Sequence, residues 1–198
     1  MILVNKMDQY RIGLIGCAGL GKSTLASKIS SELQIPFLNS KGITRPVLQK
    51  YCYEYSDDCF VEKFLAKKEI ENEIVSRRLE EESILSSGFI TDRTTLECFC
   101  YSFLSITSYT NDDFKLLEKI CRMNMKNYTD LYFIPISSGW YESNGIRTIN
   151  INFQRMIEML INGVILDWGV PVKRIPEEIM RSGNAEKFIL EDLKRKKQ

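Results

Sequence analysis

The sequence predicts an α/β protein: a parallel sheet of about five strands with helices on both faces. Three observations lead there. Short apolar runs alternate with amphipathic helical stretches along the chain. A glycine-rich loop, Gly16-Cys17-Ala18-Gly19-Leu20-Gly21-Lys22-Ser23, separates the first such run from the first such helix. A third apolar run, Phe89-Ile90-Thr91, ends directly in Asp92-Arg93.

The elements follow in order. Tyr10 to Ile15 reads as a buried strand feeding the glycines, and Thr24 to Leu33 as a helix with Leu25, Ile29 and Leu33 on one face. Ile35 to Leu38 reads as a second strand. Lys41-Gly42 then opens a connection to a helical patch from Pro46 to Tyr51. Val61 to Leu85 has helical periodicity, carried by Val61, Phe64, Leu65, Ile74, Val75, Leu79, Ile84 and Leu85. Ser86-Ser87-Gly88 ends it, with Gly88 expected just past the helix end. After the Phe89–Thr91 strand, helices are expected over Leu96–Ile106 and Phe114–Met125. Asp130 to Pro135 reads as a fourth strand, followed by a long polar loop, Ser137 to Thr148. Phe153 to Trp168 is helical, Val170-Pro171-Val172 starts a fifth strand, and a last helix runs from about Ala185 into the basic tail. No repeat or low-complexity linker divides the chain, so residues 1–198 are expected to form one domain.

The loop matches G-x-x-x-x-G-K-[ST], the phosphate-binding P-loop. Glycines let successive N–H groups turn inward onto phosphate oxygens, and the helix N-terminus adds partial positive charge there. Residues Gly16 through Thr24 are thus expected to hold a nucleotide. Lys22 would reach its β- and γ-phosphates, and the Ser23 hydroxyl would ligate Mg²⁺. Asp92 stands where such proteins place a magnesium-side carboxylate or a base. It also fits a plainer role, since Thr94-Thr95-Leu96-Glu97 has the S/T-x-x-E form of a capping box and Asp92 adds favourable charge near that helix start. Arg93 either touches substrate phosphate or pairs with a local carboxylate. Arg45, soon after the second strand, lies on the acceptor side and is a second substrate-binding candidate. Arg147, in the polar loop with its Asn144-Gly145 turn, is a candidate for stabilising the transferred group.

Composition excludes several classes. The chain has no histidine, so acid–base chemistry falls to carboxylates, lysine or water. Six cysteines without a C-x-x-C pair suit neither a zinc site nor a disulfide framework, and most are expected to be small buried residues. Net charge is +1, so no global field favours nucleic acid. Lys194-Arg195-Lys196-Lys197 is expected to be a solvated, frayed end. No apolar run is long enough to cross a bilayer. No membrane partner is expected, and the location expected is the cytoplasm. Asn5-Lys6-Met7-Asp8 matches N-K-x-D, a guanine-reading motif, but it nearly abuts the first strand and no D-x-x-G follows Asp92.

With these residues placed, the chain resembles a P-loop kinase family. That family includes the nicotinamide riboside kinase domain of the bacterial NAD-biosynthesis regulator and many phage-encoded kinase-like ATPases. The resemblance runs from Tyr10 to about Pro176. It rests on Phe89-Ile90-Thr91-Asp92-Arg93-Thr94-Thr95 with the aromatic helix after it. It rests most on a lid of the W-x-[DE]-x-G-x-R type, here Trp140-Tyr141-Glu142-Ser143-Asn144-Gly145-Ile146-Arg147, followed by Phe153-Gln154-Arg155. It implies a P-loop NTPase kinase fold with a lid loop at about 137–148, ATP and Mg²⁺ at Gly16 to Ser23, a catalytic acid at Asp92 and a lid arginine at Arg147. Lys22, Asp92 and Arg147 are the catalytic expectation; Ser23 and Asp92 are the metal expectation. The pattern departs on the acceptor side. Gly42 stands where relatives often carry a glutamate three residues before the arginine, and Phe37-Leu38-Asn39-Ser40 has no tryptophan.

The expected activity is transfer of the ATP γ-phosphate to a hydroxyl or phosphate of a nucleoside- or nucleotide-like acceptor. One alternative is a phage-type DNA kinase acting on a hydroxymethylated pyrimidine such as 5-hydroxymethyluridine in DNA, with Arg45, Lys41 and Lys50 as candidates for a basic wall. The other is an ATPase or GTPase switch with no acceptor. The oligomeric state stays open.

Overall fold

The computed structural model of the chain describes residues 10–51, 67–136 and 151–196. Its core is a five-stranded sheet, β1 (Arg11–Ile15), β2 (Phe37–Leu38), β3 (Phe89–Thr91), β4 (Asp130–Phe133) and β5 (Lys173–Arg174), in the order β2-β3-β1-β4-β5. Every pairing is parallel, with Ile12 opposite Ile90 on one side and Asp130 on the other. Helices cover the sheet, so β3 and β4 are buried along their whole length and read as continuous apolar runs. Ile12, Leu14, Ile15, Ile90 and Phe133 are fully buried at its centre. Truncating one of these to alanine is expected to cost about 2–5 kcal/mol. The predicted α/β class and strand number are what the chain adopts.

The helices are α1 (Lys22–Leu33), α2 (Ser40–Lys50), α3 (Lys68–Ile84), α4 (Thr95–Ser102), α5 (Asn111–Met125), α6 (Ile151–Trp168), α7 (Glu177–Arg181) and α8 (Ala185–Arg195). Several boundaries differ from the sequence expectation, each for a local reason. Lys41-Gly42 is helix rather than connection, because the Asn39 side chain caps α2 by accepting from the Lys41 N–H at 2.9 Å. Gly88 is not the residue that ends α3; the helix caps at Leu85. Gly88 instead turns the chain into β3 at φ 94°, where a Cβ would lie 2.5 Å from the Tyr10 carbonyl.

The helix expected over Leu96–Ile106 tightens to a 3₁₀ turn over Phe103–Ser108. Three serines promote this by donating to the carbonyls three residues back: Ser102 to Phe99, Ser105 to Ser102 and Ser108 to Ser105. The fifth strand starts three residues beyond Val170, since Pro171 lacks a ladder N–H and the first paired residue is Lys173. The described part of the basic tail is held, not frayed: α8 runs to Arg195, and Lys196 pairs with Asp130 at the start of β4. Four cysteines, 17, 98, 100 and 121, are buried free thiols, as expected. Among the described residues no helix is long and apolar enough to cross a membrane. Asn5 to Asp8, residues 61–66 of the predicted helix and the 137–148 loop with Trp140 and Arg147 lie outside the described residues.

Candidate active site

The carboxyl ends of β1 and β3 are neighbours, so the glycine loop and Asp92 meet. Gly16 leaves β1 at φ 149°, and a Cβ there would fall 2.5 Å from the Ile134 carbonyl. Only glycine allows that close approach to the chain leaving β4. The loop ends at Gly21, which starts α1 in the left-handed conformation at φ 73°. The helix N-terminus carries no side-chain cap, which leaves its first N–H groups for a ligand.

Lys22 is the first residue of α1 and curls back over the loop. Its ammonium donates to the carbonyls of Gly16 and, at 2.7 Å, of Cys17. It also lies 3.4 Å from the Glu97 carboxylate. Glu97 is buried and multiply held: it accepts from the Gly16 N–H at 3.3 Å and the Thr94 N–H at 2.8 Å. The expected glutamate half of the capping box is therefore made, and the same carboxylate props the P-loop. Burial raises the Glu97 pKa, with Lys22 and Arg93 pulling against that rise.

Asp92 joins the two sides of the site. One oxygen accepts from the Ser23 hydroxyl, and the other from the Ser40 N–H at 2.8 Å, at the first residue of α2. Burial pushes its pKa up, but the bonds from Ser23 and Ser40 and the charge of Lys22 outweigh it. Asp92 is held below the usual carboxylate range. It is thus an ionised group at the phosphate loop, and its bonds run to Ser23 and Ser40. Ser23 and Asp92 together form a hydroxyl–carboxylate oxygen pair of the kind that suits a hard cation such as Mg²⁺.

Behind Asp92 a buried network fixes the end of β3. The Thr91 hydroxyl donates to the Leu38 carbonyl at 2.9 Å and accepts from Arg78 at 3.0 Å. Arg78 is fully buried, 3.8 Å from Glu82, which in turn accepts from Asn124 and Tyr128. Cys17, inside the loop, donates to the Gln154 carbonyl at 3.1 Å, and burial raises its thiol to about 12 despite Lys22, so it stays a thiol.

The remaining candidates lie apart. Arg93 is half-buried, with its guanidinium 4.5 Å from the centre of the Tyr101 ring. The carboxylates of Glu97 and Glu71 act on its charge, so local carboxylates contribute to holding it. Arg45 sits on the exposed face of α2 rather than in a strand-end loop. Lys41 is exposed beside it, and Lys50 pairs with Glu73 at 2.6 Å.

Glu97 was expected only as a capping-box residue, Gln154 only as part of the family pattern, and Arg78 had no expected role. For Glu97 the signal was present, since a capping-box glutamate directly after the Asp92 strand end must face the loop. For Arg78 no local pattern distinguishes the position from an ordinary polar helix residue.

The fold and the loop define a P-loop protein. A family model described as an AAA domain matches residues 11–181, and the chain belongs to that family. Membership implies nucleotide binding. An adenylate kinase of Caldanaerobacter subterraneus subsp. tengcongensis is 36% identical over 88 residues, 41% of this chain and 38% of that enzyme. Among solved structures, the NadR protein in complex with NR superposes with a TM-score of 0.63 at 15% identity, over 84% of this chain and 45% of that one. The chain therefore matches less than half the length of either protein. Deoxyadenosine kinase from M. mycoides with bound dCTP gives 0.53 at 15% identity, over 93% and 99% of the two chains. YorR from Bacillus subtilis, in complex with phosphorylated GDP, gives 0.53 at 16%, over 92% and 95%. At these identities the structural likeness is one of fold, and it agrees with the kinase family that the sequence motifs suggested.

Proposed function

We propose that this protein transfers the γ-phosphate of ATP to a hydroxyl or phosphate of a nucleoside- or nucleotide-like acceptor. The observation that carries this reading is the double attachment of Asp92, to Ser23 of the phosphate loop and to the first N–H of α2. A carboxylate placed there couples the nucleotide side to the segment that follows β2. The relatives point the same way, since their printed names include an adenylate kinase and a deoxyadenosine kinase.

The roles follow from position. Lys22 moves from the Gly16 and Cys17 carbonyls onto phosphate oxygens, which are stronger acceptors. Glu97 keeps the lysine aligned as it does so. Ser23 and Asp92 would hold Mg²⁺. Bound there, the ion supplies charge neutralisation for the phosphates. Asp92, ionised by its hydrogen bonds, orients an acceptor hydroxyl or the magnesium water. Catalysis is then mostly positioning and electrostatic stabilisation.

The test is ATP turnover against a panel of nucleosides, nucleotides and DNA containing 5-hydroxymethyluridine. Phosphorylation of free nucleosides or nucleotides supports the reading. Phosphorylation of the modified DNA alone replaces it with the DNA kinase, a reading weakened by the pairing of Lys50 with Glu73. ATP hydrolysis with no acceptor phosphorylated replaces it with an ATPase.

A further inference from the structure

A buried carboxylate on α3, Glu71, takes no part in the phosphate-side network. Glu71 lies in the first turns of α3 and is 1% exposed. Neither of its oxygens has a hydrogen-bond partner. Buried carboxylates are ordinarily paired or multiply hydrogen-bonded, because leaving even a neutral polar group bare costs about 1–3 kcal/mol. Here burial alone drives the group, raising its pKa to about 7, and the charge of Arg93 offsets this only in part.

Its place in the fold says what could meet it. Helix α3 runs down to the start of β3, so its early turns stand at the opposite, carboxyl end of that strand. Arg78, on the same buried face, touches Thr91 at the last residue of β3. Glu71 is seven residues earlier, roughly 10 Å farther along the axis at 1.5 Å per residue. That puts it at a level beyond Thr91, on the side where ligands bind in open parallel sheets, with Cys98, Tyr109 and Cys121 within reach of its charge. Arg93 leaves β3 into the same region, with its guanidinium over the Tyr101 ring and under the charges of Glu97 and Glu71. The nearby Tyr109 hydroxyl is committed elsewhere, to Asn72 and the Lys68 carbonyl.

Resting on the kinase reading, we infer that Glu71 is an acceptor-binding residue whose carboxylate takes a pair of hydrogen-bond donors from the substrate, with Arg93 taking an acceptor or phosphate group beside it. Two parts of a nucleoside present such a pair: the ring N–H and amino group of a guanine-type edge, and the two hydroxyls of a ribose. Burial gives the site its discrimination. A donor reaching Glu71 meets no competing water, and an analogue lacking that donor leaves the carboxylate bare.

The experiment compares wild type and Glu71→Gln across guanosine, inosine (no exocyclic amino group) and 2′-deoxyguanosine, with the corresponding nucleotides. The inference expects Glu71→Gln to raise the acceptor KM by about 10-fold or more while the ATP KM stays within about twofold. It also expects one analogue to lose a similar factor with wild type and little more with the variant. Loss with inosine assigns the base edge; loss with the deoxy compound assigns the sugar. Comparison of the analogues on wild type alone keeps the test intact if the variant fails to fold. An unchanged acceptor KM in folded Glu71→Gln, or no analogue discrimination by wild type, overturns the inference and leaves the kinase reading standing. Wild type that phosphorylates no nucleoside or nucleotide overturns both.

Discussion

The two halves of the site are built in opposite ways. On the phosphate side Lys22, Glu97 and Asp92 are each answered within the chain, and the bare polar atoms there are neutral ones, Thr94 Oγ1 and Gln154 Oε1. Lys22 has two carbonyls and Glu97, Glu97 has two N–H groups, and Asp92 has Ser23 and Ser40. On the acceptor side Glu71 has no donor, the Thr44 hydroxyl on α2 is buried without a partner, and Arg93 rests on a ring. The difference teaches where generality and specificity lie. Charged groups that answer one another hold the glycine loop in place without a ligand. Unanswered polar groups cost stability and are retained where a ligand answers them.

The comparison can be broken first at the lysine. Lys22→Ala should lower kcat by roughly 10³ or more, since one preorganised contact to transferring charge is worth 10²–10³ and this residue also braces Glu97. The fold should survive, because Glu97 keeps its bonds from the Gly16 and Thr94 N–H groups, and the loss is read as turnover per folded molecule. Full activity in the folded variant would remove the phosphate-loop mechanism.

Asp92→Asn should act next most strongly, lowering kcat by ~10² with a smaller change in ATP affinity. The amide keeps the shape but can no longer accept at both oxygens. Normal turnover with a lowered melting temperature would reduce Asp92 to the helix-start role.

A third effect is on stability and separates the halves by sign. The folded pKa of Glu71 is raised from 4.5 to about 7, so its contribution is present below pH 4.5 and lost as pH rises towards 7. The folded pKa of Asp92 is lowered, so its contribution is present above its unfolded value and lost as pH falls. Glu71→Gln should therefore stabilise the protein at pH 8, by up to ~3 kcal/mol from a shift of about 2.5 units, and change little at pH 5. Denaturant melts at the two pH values check this, and equal effects at both would contradict it.

The smallest effect expected is at Arg45. It lies on the exposed face of α2, so Arg45→Ala should change the acceptor KM only slightly and leave a shallow salt dependence. A steep dependence would bring back the DNA acceptor.

The phosphate half was legible in the sequence and the acceptor half was not, for a physical reason. The loop from Gly16 to Ser23 and the Phe89–Asp92 strand end are contiguous patterns, and their chemistry follows from spacing alone. Arg45 was expected near a strand-end loop because the Asn39 cap, a single side-chain bond, was not read as a helix start. Glu71 needed tertiary knowledge. The signal was still there: Glu71, Ile74, Val75 and Arg78 fall on one helical face, and all four are buried. A carboxylate on an apolar face is the kind of local inconsistency that marks a functional position.

The contrast between the halves is tested most directly by titrating the side-chain carboxyls of the folded protein by ¹³C NMR. Asp92 should titrate below 3.8, and Glu71 near 7. A Glu71 that titrates at its ordinary 4.5 would mean that its carboxylate is already solvated or partnered, and the division between a satisfied phosphate half and an unsatisfied acceptor half would be wrong.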